Sequence, residues 1–140
     1  MFDTSTLKTV SIAGLLTLGL SVSAFAKDVN VSLTGAEETP PVSTSAAGAG
    51  TFSIDKDNVV TGSVKTTGID GTAAHIHLGE VGKSGPPVIT LNKGAAGEWV
   101  VPAGSKLTPE QYESFKAGNL YVNVHSAAYK PGEIRGQLKP

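Results

Sequence analysis

The chain has three histidines, and their spacing makes them the residues best suited to chemistry. Two form an H-x-H pair in Ala73-Ala74-His75-Ile76-His77-Leu78, and the third closes the run Leu120-Tyr121-Val122-Asn123-Val124-His125. Both stretches read as β-strands, in which side chains alternate between faces. His75 and His77 then point the same way, roughly 7 Å apart at their Cα atoms, and Ile76 points the other way. In the second stretch Leu120, Val122 and Val124 share one face, and Tyr121, Asn123 and His125 share the other. If the two strands pair, three imidazoles meet on one non-core surface, and that is a ligand set for a transition metal. Neutral imidazole suits copper, zinc and nickel, and copper(II) forms the tightest such complexes, so copper is expected and zinc is the alternative. A fourth position stays open to water, a carboxylate or a side chain from a second copy of the chain. The competing reading is three ordinary surface or hydrogen-bonded histidines. An H-x-H pair with a third histidine on the matching face favours the metal. The only methionine is Met1, so a thioether copper(I) site is not expected.

Other polar residues fall where they could support such a site. Glu37 and Glu38 precede Pro40-Pro41 in a loop of constrained path, and either could orient an imidazole or fill the fourth position. They could equally be solvated. Glu133 and Arg135 alternate with Ile134 and so share a non-core face with Gln137. Arg135 there could draw an anion toward the metal or pair with a glutamate. Tyr121 and Asn123 could hydrogen-bond to ligands or simply cover the sheet. Trp99 is expected in the core or beneath a loop.

The elements that must position these residues are short strands. Asp28 to Leu33 alternates Val29, Val31 and Leu33 with polar residues. Residues 49–67 read as a β-hairpin turning at Asp55-Lys56-Asp57-Asn58. The His75 strand follows Gly68-Ile69-Asp70-Gly71. A glycine- and proline-rich loop from Gly79 to Pro87 separates it from short strands at 88–91 and 98–101. One amphipathic helix is expected over 107–118, with Thr108 as N-cap, Pro109 in the first turn and Gly118 as stop. The His125 strand comes next, then a turn at Pro131-Gly132, then a last strand at 133–138 with Ile134, Gly136 and Leu138 inward. About eight strands and one short helix predict an all-β fold, an antiparallel Greek-key sandwich or barrel.

Length and composition narrow the functions. The 140 residues make one domain, with a formal net charge of −1 and 17 glycines. No basic patch suits nucleic acid. There is no cysteine, hence no thiol nucleophile and no disulfide. No G-x-S-x-G elbow appears, and the Gly79–Gly85 loop lacks the phosphate-loop pattern. An apolar run from Val10 to Val22 ends in Ala24-Phe25-Ala26, an A-x-A cleavage pattern. Residues 1–26 are therefore expected to be a secretory signal, leaving residues 27–140 as the domain, periplasmic or secreted and without a membrane span.

The order of Gly35 through Pro41-Val42, Ala74-His75-Ile76-His77, Gly85-Pro86-Pro87-Val88, Ala117 through His125 and Pro131 through Leu138 resembles the chordin-type domain, CHRD, in its bacterial single-domain form. The resemblance implies an extracytoplasmic β domain. The family takes its name from an extracellular growth-factor antagonist, which by itself assigns no activity here. His75, His77 and His125 also resemble, in type and order, three copper-binding histidines of copper/zinc superoxide dismutase. The histidine that bridges the two metals there, the zinc loop and the disulfide have no counterpart, which speaks against an enzyme of that kind.

Three functions follow as expectations. The first is an exported copper-binding protein for storage, delivery or detoxification. The second is a superoxide-handling copper enzyme at the same site. The third is a non-catalytic module that binds a protein partner.

Overall fold

Alternation of apolar and polar residues, repeated in short runs between turns, builds almost the whole molecule. The structure, a computed structural model, describes residues 26–140. The expected signal segment, apart from Ala26, lies outside them. Nine strands form a single antiparallel sheet: β1 (Lys27–Thr34), β2 (Ala47–Ile54), β3 (Val60–Thr67), β4 (Gly71–Leu78), β5 (Pro87–Thr90), β6 (Asn92–Lys93), β7 (Glu98–Val100), β8 (Leu120–Ser126) and β9 (Ile134–Leu138). Their order across the sheet is β5-β4-β8-β9-β1-β2-β3-β7-β6.

The two ends of that order are neighbours in the chain. β5 and β6 flank Leu91 alone, and the Leu91 N–H donates to Ala74 O in β4 at 2.9 Å. β5 pairs with β4, while β6 pairs with β7 at Asn92↔Val100 and Lys93↔Trp99. The bent run 87–93 therefore bridges both edges and all but closes the sheet into a barrel. Counted as one strand it brings the number to the expected eight. Closure occupies the edge hydrogen-bonding groups that an open sheet would leave for aggregation.

The core is the inward half of each alternation. Val29, Val31 and Leu33 of β1, Phe52 and Ile54 of β2, Ala74 and Ile76 of β4, Leu120, Val122 and Val124 of β8, and Ile134 and Leu138 of β9 are all buried. Each large apolar side chain so placed contributes about 1.5–3 kcal/mol. Trp99 joins them, as expected. The helix α1 (Pro109–Lys116) has the predicted ends. Thr108 Oγ1 accepts from the Gln111 backbone N–H, Gln111 Oε1 accepts from the Thr108 N–H, and Gly118 stops the helix at φ 77°. It buries Phe115 against the core.

The outward face of β4, β8 and β9 is not bare. The loop 79–86 and the segment 35–46 lie over it and bond to its side chains. The strands thus carry an apolar layer inside and a second, polar layer outside, and the histidines belong to the second.

Candidate metal centre

Strands β4 and β8 pair with Ala73 opposite His125, His75 opposite Asn123 and His77 opposite Tyr121. That register sets His125 diagonally from His75. The ring centroids of His75 and His125 lie 4.9 Å apart, those of His75 and His77 5.4 Å, and those of His77 and His125 6.1 Å. One nitrogen from each ring falls within 4.8 Å of the other two. Metal–nitrogen bonds of about 2.0–2.1 Å place bound nitrogens about 3.4 Å apart in a tetrahedron and about 4.1 Å apart across an ion. From separations of up to 4.8 Å, the nitrogens would have to close by as much as about 1.4 Å to reach tetrahedral spacing, or about 0.7 Å to reach the spacing across an ion. The β4–β5 register slips between Ile76 and His77, a bulge that turns His77 relative to its partner strand.

Two of the rings are fixed by backbone carbonyls. His77 Nδ1–H donates to Gly85 O at 2.9 Å, and His125 Nδ1–H donates to Lys130 O at 2.7 Å. Each bond puts the proton on Nδ1 and leaves Nε2 as a bare lone pair, the arrangement in which ligating histidines are usually held. His75 Nδ1 then donates to His125 Nε2 at 3.0 Å. An ion at the common point would replace that bond by coordination, with the His75 proton moved to Nε2. In exchange it would satisfy His77 Nε2, which is buried and has no hydrogen-bond partner among the described residues.

Electrostatics favour the neutral rings that a metal requires. Burial pushes the His75 pKa below the ordinary value, and neighbouring His125 and His77 push it the same way. Burial also lowers the His77 pKa, against its bond to Gly85 and the nearby Asn123. Both rings are thus ready to ligate at neutral pH.

The site is less open than a bare sheet surface. His77 is only 8% exposed, while His75 and His125 are half-buried. Tyr121 stacks flat on His77, with centroids 4.7 Å apart and planes within 1°. β9 flanks β8 on the side away from β4, and from there the Arg135 guanidinium lies 3.5 Å from the Tyr121 ring centroid. Arg135 is 2% exposed and donates to Lys83 O, Glu80 O and Gln137 Oε1. It thereby holds the 79–86 loop down over His77. The ion pairs among the described residues do not include it, and its guanidinium is turned to carbonyls rather than to an incoming anion.

The remaining candidates divide. Glu38 is buried beside the site and accepts from Asn123 Nδ2 at 3.4 Å. Burial pushes its carboxyl up, partly offset by Asn123 and by Arg135. Glu133 is also buried and accepts from Thr44 Oγ1 at 2.8 Å, which ties down the 35–46 segment. Glu37 is not brought to the histidines. It is exposed and lines a separate depression with Asn30, Gln137 and Lys139. Gly85 and Lys130 act through their carbonyls, which no side-chain pattern marks. Gly85 has a further reason to be glycine, since a Cβ there would run into Leu78 O.

A family model described as the CHRD domain matches residues 29–138, which include all three histidines. Chordin of Xenopus laevis is 31% identical over 117 residues. That stretch covers 77% of this chain and 12% of chordin's length. No solved structure matches the chain.

Proposed function

The chain belongs to the CHRD domain family, and from that premise we propose that it is an exported member, periplasmic or secreted, that binds copper through His75, His77 and His125. Its task would be storage, delivery or detoxification of the ion. The family name supplies no activity, so the reading rests on the site. The observation that carries it is the trio of imidazoles with one nitrogen each within 4.8 Å of the others, in which carbonyls hold the Nδ1 protons of His77 and His125 and His77 Nε2 is buried and unpaired. All donors among the rings are imidazole nitrogens, which supports copper(II) over harder ions and leaves zinc as the alternative. The commitment of Arg135 to carbonyls supports a carrier over a superoxide-handling enzyme, since the best-placed cation is not free to draw in an anion.

The test is equilibrium dialysis of the purified domain against copper(II), zinc or nickel, followed by elemental analysis. One copper per chain is expected, with retention falling sharply in each single His→Ala variant. Protein that keeps no metal after dialysis would sink the proposal.

A second reading, a non-catalytic interaction module, draws on a groove of about 260 Å³ beside the site. It is lined by Thr39, Pro40, Pro41, Val42, Tyr129 and Pro131. It gains ground if the triple His→Ala variant keeps its cellular role.

A further inference from the structure

Two buried side-chain atoms have no hydrogen-bond partner among the described residues: His77 Nε2 and Asn123 Oδ1. They belong to neighbouring side chains on the same face of adjacent strands. Asn123 stands opposite His75 and diagonal to His77. Its carboxamide lies where it would accept a hydrogen bond from a protonated His77, but with Nε2 bare the two orphans do not bond to each other.

The reason is that both are acceptors. His77 carries its proton on Nδ1, held by Gly85 O, so Nε2 is a lone pair. Asn123 turns its Nδ2 toward Glu38 Oε1 and Pro131 O, each at 3.4 Å, so Oδ1 faces away from them. Swapping the amide would set Oδ1 against those two oxygens. Two unpaired acceptors buried side by side destabilise the fold. What satisfies both at once is a cation between them, either a proton on His77 Nε2, which burial disfavours, or a metal ion. One nitrogen of His125 and one of His75 lie within 4.8 Å of one on His77.

Building on the copper reading above, we propose that Asn123 Oδ1 is the fourth donor to the ion. The site would then be three nitrogens and one amide oxygen, closed within a single chain. No second copy and no solvent molecule would be needed to complete it. Gly132 belongs to the same device. A Cβ at that glycine would strike Glu38 Oε1 and crowd Asn123 Nδ2 at 2.5 Å, and so would disturb the contacts that aim the amide. A carrier gains from such closure, because an ion without an open position is shielded from adventitious redox chemistry.

The test is proton and nitrogen electron–nuclear double resonance on copper(II)-loaded protein, before and after exchange into deuterated water, with affinity measured by competition against a chelator. Wild type should show three coupled nitrogens and no exchangeable water on the ion. Asn123→Ala should admit an exchangeable water and lose about tenfold or more in affinity, the scale on which supporting groups matter at metal sites. Asn123→Asp, which keeps an oxygen in place, should still exclude water. A strongly coupled exchangeable water already present in wild type overturns the proposal, even if neither variant folds. So does an Asn123→Ala protein with unchanged affinity and spectrum, which would mean the orphan pair holds only a bridging water. Wild type that binds no copper at all defeats the copper reading itself and is recognised by the absence of any protein-bound signal. Copper bound with three nitrogens but an open fourth position defeats only the role of Asn123.

Discussion

Replacing His77 by phenylalanine separates what the site does for stability from what it does for binding. In the metal-free protein His77 makes one hydrogen bond, to Gly85 O, and leaves Nε2 buried and unpaired. The substitution loses the first, at about 1 kcal/mol, and removes the second, whose burial costs about 1–3 kcal/mol. A phenyl ring can keep the flat stacking on Tyr121. Gly85 O remains 3.5 Å from the Tyr121 hydroxyl. The metal-free variant should therefore lie between unchanged and about 2 kcal/mol more stable than wild type. Its response to copper should collapse. At a hundredfold excess over the dissociation constant, bound metal stabilises the fold by about 2.7 kcal/mol. A domain of this size shifts by about 4 °C per kcal/mol, so wild type should gain about 10 °C. If losing one imidazole weakens binding about a hundredfold, the same copper concentration yields only about 0.4 kcal/mol, or about 2 °C. Melting curves by circular dichroism, in chelator and in copper, measure both quantities. A metal-free variant that melts more than about 8 °C below wild type would show that His77 is a structural histidine and refute the reasoning. So would a copper shift that survives intact.

Other predictions follow from the same geometry. His75 and His77 both titrate below the ordinary value of 6.5 in the folded chain, chiefly through burial. The unfolded chain therefore takes up their protons first as pH falls. Stability from these groups is whole above about pH 6.5 and declines below it, which denaturant melts across pH 7 to 5 will register. Glu38 is raised above 4.5, again chiefly by burial, so its ionised form burdens the fold at neutral pH. Glu38→Gln should raise the melting temperature at pH 7, with the gain fading as wild-type Glu38 protonates in acid; a lower melting temperature at pH 7 would contradict this. Gly85→Ala places a Cβ against Leu78 O and should loosen the 79–86 loop, seen as faster amide exchange there and weaker copper binding. Phe52→Ala, in the core opposite no site residue, should cost about 3–5 kcal/mol in denaturant melts while leaving copper stoichiometry unchanged in the protein that remains folded.

Much of the architecture was legible because its signals are local. Val29, Val31 and Leu33 alternate within one run, and a period of two admits only a strand with one buried face. Thr108, Pro109 and Gln111 announce a helix start within four residues, and the capping box forms as those types require. His75 and His77 had to share a face for the same reason, and His125 had to oppose Val124. The loops were legible only as loops. Gly85-Pro86 marks a turn, but that its carbonyl reaches His77 depends on how the 79–86 loop lies across a sheet built from distant segments. The setting of Arg135 was hidden for a related cause. On an isolated strand it is an exposed cation, and only the loop above it, with Tyr121 below, makes it a buried donor to carbonyls. Glu37 and Glu38 are adjacent, yet one is solvated and the other buried, because the turn after β1 points them to different sides.

The sequence by itself determined an all-β chain, its strand faces and the three rings available for one cluster, since side-chain alternation and turn chemistry act over a few residues. Tertiary structure alone decided that β4 pairs with β8 in the register that brings the rings together, that 87–93 closes the sheet, and that loops bury the histidines and choose their tautomers. Those outcomes depend on contacts between residues far apart in the chain, such as Thr34 with Arg135, 101 positions away. No local preference encodes them; they are set by which distant surfaces fit when the core closes.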